Sequence, residues 1–167
     1  MATMVINFGT QSKLGEGVYS VVYEVEGRAF KLFKRYPQFP PRQTEEGRRL
    51  TFQHQCQAYE LASGDPFLQH HIGTYYGRAI IDDVIDEDGS SVKESYLLDC
   101  CYVLEVMRGV ETKTASALRL GEIEHFDHIR QATDKFASIG IVFLDSSVFD
   151  AADPVRYKFI DFELPYY

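Results

Sequence analysis

The sequence has few cysteines, no excess of positive charge and no long hydrophobic run, and each absence excludes a class of protein. Its three cysteines, Cys56, Cys100 and Cys101, are odd in number and lack metal-ligand spacing. We therefore expect reduced thiols in a cytosol-like compartment. With 17 basic and 25 acidic residues the formal net charge is −8, which disfavours nucleic acid and anionic membranes as partners. No apolar run approaches a membrane span, and no secretory signal is seen, so we predict a soluble protein.

The first third of the chain is predicted to hold a hairpin and one helix. From Gln11 to Lys34 apolar and polar residues alternate, which is typical of β-strands joined by a turn. The segment "RYPQFPPRQ" contains three prolines and is predicted to be a loop. A helix is expected to begin after Thr44 as N-cap and to end near Ser63 and Gly64.

The remainder is predicted to contain two more strands, a long helix and two short strands. The segments "HIGTYYGRAIIDDVI" and "SYLLDCCYVLEVM" flank the turn "DEDGSS" and are expected to pair as antiparallel strands. His71 falls between helix and strand and is expected in a loop. Apolar residues then recur every three or four positions from Ile123 to Ile139, predicting an amphipathic helix closed by Gly140. Short strands are expected around Val148 and at "YKFID", which gives an α+β fold.

The stretch "LGEGVYSVVYEV" contains the most informative glycines, Gly15 and Gly17. A dinucleotide-binding loop would be followed by a helix, and a Walker loop by Lys-Ser/Thr, whereas an alternating strand follows here. The remaining mechanism is a strand-turn-strand flap whose glycines let backbone amides approach phosphates. In such a flap Tyr19 would cap the tip and Val22 would pack on a nucleotide base.

This flap resembles the glycine-rich loop of protein kinases, with Ser20 in place of the third glycine. "GRAFKLFK" resembles the kinase Ala-x-Lys segment, whereas the nearby Lys34 is expected to be solvated, and "YVLEVMRG" resembles the hinge strand. The resemblance implies a single kinase-like domain, with an antiparallel N-lobe of about 1–107 and a truncated C-lobe of about 108–167. It implies that ATP is bound by Gly15, Gly17, Tyr19, Val22, Ala29, Lys31, Glu60, Leu104, Glu105 and Met107.

The segments "GIVFLDSSVFD" and "YKFIDFE" resemble the kinase catalytic loop and the Asp-Phe-Gly segment. The resemblance implies that Asp145 accepts the proton of the substrate hydroxyl. It also implies that Asp161, sixteen positions later, holds Mg²⁺ on the β- and γ-phosphates.

Two parts of the kinase pattern stay open. The second metal ligand, normally Asn, falls on Asp150, but Val148 to Asp150 also fits a strand, in which case that ligand is missing. The helix acid that pairs with Lys31 is assigned to Glu60, with Gln55 and Glu46 as alternatives.

Three features depart from the kinase pattern. Phe143 and Leu144 replace the His-Arg pair of the catalytic loop, Glu163 replaces the glycine of the Asp-Phe-Gly segment, and the sequence ends at Tyr167. We expect neither an activation segment nor a peptide-docking subdomain. In this respect the chain resembles small effector kinases that bacterial pathogens secrete into host cells. We expect a protein kinase, acting on Ser or Thr rather than Tyr, that is cytoplasmic or secreted into the cytoplasm of a host cell. The alternative is a pseudokinase that regulates a partner protein. Small-molecule phosphotransfer is disfavoured because it needs a larger C-terminal lobe.

Overall fold

A computed structural model describes residues 3–35, 44–114, 117, 127–141 and 146–162. These residues form the predicted α+β fold, with mostly antiparallel sheets and two helices. The helices are α1 (Glu45–Ser63) and α2 (Asp127–Ser138). The strands are β1 (Val5–Asn7), β2 (Ser12–Glu16), β3 (Ser20–Val25), β4 (Arg28–Lys34), β5 (Tyr75–Ala79), β6 (Asp83–Ile85), β7 (Tyr96–Glu105), β8 (Glu111–Lys113), β9 (Ser147–Phe149) and β10 (Lys158–Ile160).

The chain divides into two compact units. Unit 1 comprises the described residues of Met1–Gln53 and Tyr76–Val106, and unit 2 those of His54–Tyr75 and Met107–Tyr167. Within the described part of the chain, no helix is long and apolar enough to cross a membrane. The division into kinase lobes stays a prediction.

A five-stranded sheet with the order β2-β3-β4-β7-β5 dominates unit 1. The predicted hairpin is confirmed: β3 and β4 pair antiparallel from Ser20 with Phe33 to Val25 with Arg28. Its turn contains Glu26 and Gly27 at φ 51° and 80°, the backbone that suits the twist of a two-residue hairpin. One face of the sheet packs on the core of unit 1, which consists of Ile6, Val21, Tyr23, Val25, Phe30, Leu32, Ile81, Val84, Cys101 and Val103.

The helix predicted after Thr44 is confirmed as α1. The Thr44 hydroxyl accepts a hydrogen bond from the Gly47 amide at 3.0 Å, and Glu45 and Glu46 occupy the first turn, where carboxylates favour the positive end of the helix dipole. The proline-rich loop predicted before it lies outside the described residues, except for Arg35.

The prediction that "HIGTYYGRAIIDDVI" forms one strand paired with the next is only partly right. Its first half is β5, a neighbour of β7. The amide of the buried Ile81 still donates to the Leu98 carbonyl of β7 at 2.8 Å. The second half is β6, which pairs in parallel with β1 and aligns Ile6 with Val84.

Unit 2 contains α2 and the three-stranded antiparallel sheet β10-β9-β8. The predicted strands around Val148 and at "YKFID" are confirmed, whereas β8 was not predicted. The end of α2 agrees with the prediction, since Gly140 follows at φ 85°, but residues 123–126 of the predicted helix lie outside the described residues. His71 is buried: its ring stacks on Tyr157 at 4.0 Å, and its Nδ1–H donates to the Tyr157 carbonyl at 3.1 Å.

Candidate functional site

The glycine-containing segment forms the expected strand-turn-strand flap between β2 and β3. Gly15 pairs with Val22, and the Gly17 amide closes the tip by donating to the Ser20 carbonyl at 2.9 Å. A β-carbon at Gly15 or Gly17 would meet no other described atom within 4 Å. Open space beside the backbone is what a phosphate-binding flap needs, although Tyr19 at the tip is itself half-buried.

Lys31 lies on β4, the third strand along the chain in the five-stranded sheet. It is only 8% exposed, so it is not a solvated strand lysine. Its Nζ is 5.8 Å from the ring centroid of Phe33 and 5.6 Å from that of Tyr102. A buried ammonium group is rare in proteins and marks a candidate functional residue.

Four predicted nucleotide-binding residues share one face of the sheet. Val22 lies directly opposite Lys31, and Ala29 lies opposite Leu104. Since directly paired residues and residues two apart along a strand point to the same side, these side chains share the face opposite to the core residues Phe30 and Leu32.

The sheet face that carries Val22, Ala29, Lys31 and Leu104 is partly covered by α1. The ring of Phe52 lies 5.5 Å from that of Phe33 and 6.2 Å from that of Tyr102. Ala29 and Leu104 are 7% and 8% exposed. The site residues are thus held in packed surroundings rather than on a free strand surface.

The segment that resembles the kinase hinge strand forms the end of β7 and the residues after it, and its role as a hinge stays a prediction. Leu104 is buried and Glu105, the last residue of the strand, is half-buried. Met107 follows within the residues assigned to unit 2 and is also half-buried. Binding of ATP by Leu104, Glu105 and Met107 stays a prediction.

Asp161 follows β10 directly and has an unusual backbone. Its φ of 61° is in the left-handed region, as is the φ of 53° at Asp150. Aspartate enters this region more readily than most residues with a β-carbon, and such residues cluster at functional sites. The next residue, Phe162, is fully buried in unit 2, with its ring 4.3 Å from that of Tyr59 and 5.0 Å from that of Phe136. Phe162 therefore anchors the segment at the point where Asp161 turns.

The structure agrees with the second interpretation of Asp150, because Val148 and Phe149 lie in β9 and Asp150 follows the strand. Its carboxylate accepts a hydrogen bond from the Val110 amide at 3.1 Å, and its own amide donates to the Val110 carbonyl at 2.8 Å. A β-carbon at Gly109 would lie 2.5 Å from both carboxylate oxygens. Asp150 is thus held against the backbone of residues 109–110, and its role as a metal ligand stays a prediction.

Comparison with known proteins found no match to a family model, a curated protein or a solved structure. Among the residues that the structure describes, no group of three or more His, Cys, Asp or Glu side chains could hold a metal ion.

Several predicted residues are not brought together by the described part of the structure. Asp145, with Phe143 and Leu144, and also Glu163, lie outside the described residues. On α1, Glu60 and Glu46 are exposed and Gln55 is half-buried. The acid that pairs with Lys31 therefore stays open.

One feature of the flap was missed in the sequence. Lys34, expected to be solvated, lies with its Nζ 2.6 Å from a carboxylate oxygen of Glu16 and 2.9 Å from the Gly17 carbonyl oxygen. Lys13 forms a second ion pair with Glu16. These hydrogen bonds, from Lys13 first and Lys34 second, lower the pKa of the Glu16 carboxyl. The contact joins residues of different strands, so spacing along the chain gave no signal of it.

Proposed function

We propose that this chain has a protein kinase-like fold, binds ATP with Mg²⁺ and transfers the γ-phosphoryl group to a hydroxyl of a protein. The observation that carries the proposal is the buried Lys31, aligned with Val22, Ala29 and Leu104 on one sheet face beside a flap with two open glycines. A solvated lysine on a plain sheet would need neither this burial nor these neighbours.

Each of these groups has a distinct chemical role. The Lys31 ammonium would neutralise the α- and β-phosphates, and its exclusion from water strengthens that attraction. The side chains of Val22, Ala29 and Leu104 offer apolar surface for the adenine ring, since small-molecule sites are mostly apolar with a few placed polar groups. Backbone amides of the flap would bind phosphate oxygens.

The acid residues would supply the rest of the chemistry. Asp161 would bind Mg²⁺, which bridges the β- and γ-phosphates and neutralises developing charge. Its left-handed backbone and the buried Phe162 beside it support this role, because strain at a single anchored residue is typical of functional positions. Asp145 would orient the substrate hydroxyl and accept its proton.

Nucleotide-dependent stabilisation tests the binding step. At ATP·Mg²⁺ a hundred times above its dissociation constant, the fold should gain about 2.7 kcal/mol, which is a rise in Tm of roughly 5–10 °C. The shift should require Mg²⁺ and disappear in Lys31→Ala. The matched control is Lys93→Ala, because Lys93 is an exposed lysine of a 3₁₀ turn in the same unit. The absence of any shift in the wild-type protein would refute the proposal.

Transfer of label from γ-labelled ATP tests the chemical step. Incorporation into a protein acceptor should be lost in Asp145→Ala. Equal incorporation in the wild-type protein and this variant would show that Asp145 is not the base or that a contaminant is active.

A pseudokinase is the second candidate, and the position of Asp150 favours it. The carboxylate expected at the second metal position is bonded to the Val110 backbone. If that bond persists, Mg²⁺ has one ligand fewer and nucleotide would serve as a structural ligand. An ATP-dependent Tm shift that is indifferent to Mg²⁺, without label transfer, would support this alternative over the kinase.

A further inference from the structure

Three charged side chains surround the flap. Glu16 stands between Gly15 and Gly17, and its carboxylate is bonded by both Lys13 and Lys34. The two lysines differ in burial, since the Lys34 side chain is 18% exposed and that of Lys13 is 47% exposed. The Lys34 ammonium also donates to the flap backbone, with its Nζ 2.9 Å from the Gly17 carbonyl oxygen.

A carboxylate in a phosphate-binding flap is an electrostatic problem. At neutral pH Glu16 is negative, and a negative group beside a triphosphate weakens binding. Two ammonium groups on one carboxylate leave a net charge of +1 for the trio, so the flap attracts phosphate instead of repelling it. Lys34 contributes one of the two positive charges.

Lys34 is also placed to fix the shape of the flap. Its amide donates to the Tyr19 carbonyl at 2.8 Å, so its backbone holds one end of the turn while its side chain holds Gly17. Glu16 pairs with Val21, and Val21 pairs with Leu32. Lys34 is two residues after Leu32, so its side chain lies on the same face of the sheet as Glu16.

We propose that Lys34 is a positioning residue that clamps the glycine flap through the Gly17 carbonyl and the Glu16 carboxylate, an inference that rests on the proposed binding of ATP. The lysine does not touch the nucleotide in this proposal. It keeps the tip of the flap in one conformation and so reduces the entropy that nucleotide binding must remove.

Lys34→Met tests the clamp, and Lys13→Met is its matched control. Both variants remove one ammonium group from the same carboxylate, but only Lys34→Met removes the bond to the Gly17 carbonyl. By calorimetry, Lys34→Met should bind ATP·Mg²⁺ roughly 5- to 10-fold more weakly, and Lys13→Met less than about 3-fold more weakly, as expected for an exposed pair. Equal losses in the two variants would show that Lys34 acts through charge alone and would overturn the clamp.

Hydrogen exchange of the Gly17 amide without nucleotide provides the second readout. That amide is bonded to Ser20 within the tip, so Lys34→Met should speed its exchange severalfold, whereas Lys13→Met should not. Lys34→Arg, which keeps a positive charge, should exchange as slowly as the wild-type protein. If Lys34→Met does not fold, Lys34→Gln is used in its place.

The two readouts separate the clamp from the proposed function. If the wild-type protein binds no ATP but Lys34→Met still loosens Gly17, the clamp holds and the proposed function fails. If the wild-type protein binds ATP and Gly17 exchanges equally in all variants, the clamp is refuted and the proposed function stands. If ATP does not bind and exchange is unchanged, both are wrong.

Discussion

Substitution of Asp161 by glycine, alanine and asparagine separates its backbone from its carboxylate. Asp161 has a φ of 61°, a conformation that glycine adopts freely and alanine does not. Glycine and alanine both remove the carboxylate, so every interaction of that group is lost equally in the two variants. The difference in stability between them therefore isolates the backbone.

The expected difference is small but measurable. A β-carbon in the left-handed region costs about 1–2 kcal/mol, whereas glycine loses about 0.5–1 kcal/mol more chain entropy on folding. Asp161→Gly should therefore be more stable than Asp161→Ala by about 0.5–1 kcal/mol, or roughly 1–4 °C in Tm. Because the sequence contains no tryptophan, urea unfolding is best followed by circular dichroism. If the alanine variant is as stable as the glycine variant, the backbone of residue 161 is not strained by a β-carbon.

The asparagine variant tests the carboxylate. Asparagine tolerates the left-handed region as aspartate does, so Asp161→Asn keeps the backbone and removes the charge. We expect it to lose the Mg²⁺-dependent part of the ATP-induced Tm shift. If Asp161→Asn retains the full shift of about 5–10 °C, Asp161 does not hold the metal.

Three further predictions concern unit 2. Burial lowers the pKa of His71 in the folded protein, so on acidification the unfolded chain binds the proton first. The free energy of unfolding should therefore be highest above about pH 6.5 and should fall below it. His71→Asn should reduce this pH dependence, as measured by urea unfolding. Gly109→Ala should lower the free energy of unfolding by about 2–3 kcal/mol, since φ is 110° and the new β-carbon would collide with the Asp150 carboxylate. Gly64→Ala should lower it far less in the same assay, because a β-carbon there has no contact under 3.5 Å. Phe162→Ala should cost about 3–5 kcal/mol by leaving a cavity, and Phe162→Leu clearly less; equal costs would mean that the ring is not packed.

The elements that could be predicted from the sequence are those with local signals. The hairpin of β3 and β4 follows from alternation around a turn, and α1 follows from the Thr44 cap and its apolar positions. In contrast, β1 and β8 were not predicted, and β6 was predicted only as part of a longer strand. The equally short β9 and β10 were predicted, so length alone is not the reason. The parallel pairing of β1 with β6 joins segments far apart in the chain, which local alternation does not reveal.

The same division applies to the candidate site. Strand alternation was enough to place Ala29 and Lys31 on one side of β4, and pairing then brought Val22 and Leu104 beside them. Alternation places Lys34 on the side of β4 opposite to Lys31. The contact of Lys34 with Glu16 depends on how β2, β3 and β4 pair, which puts Glu16 on the same side as Lys34, and the local sequence does not show this register.

Asp150 shows why spacing alone leaves a role open. An aspartate five positions after Asp145 fits a metal ligand, but it equally fits the first residue after a short strand. The decisive contact joins Asp150 to the amide of Val110, 40 positions earlier, next to Gly109 at a positive φ. Because the Val110 amide donates to this carboxylate, the two roles compete for the same oxygen. Mg²⁺ bound to the carboxylate oxygen that accepts from Val110 would displace that amide. Protection of the Val110 amide from hydrogen exchange should therefore fall when ATP and Mg²⁺ are added if Asp150 is a ligand through this oxygen, and should stay unchanged if the residue is structural.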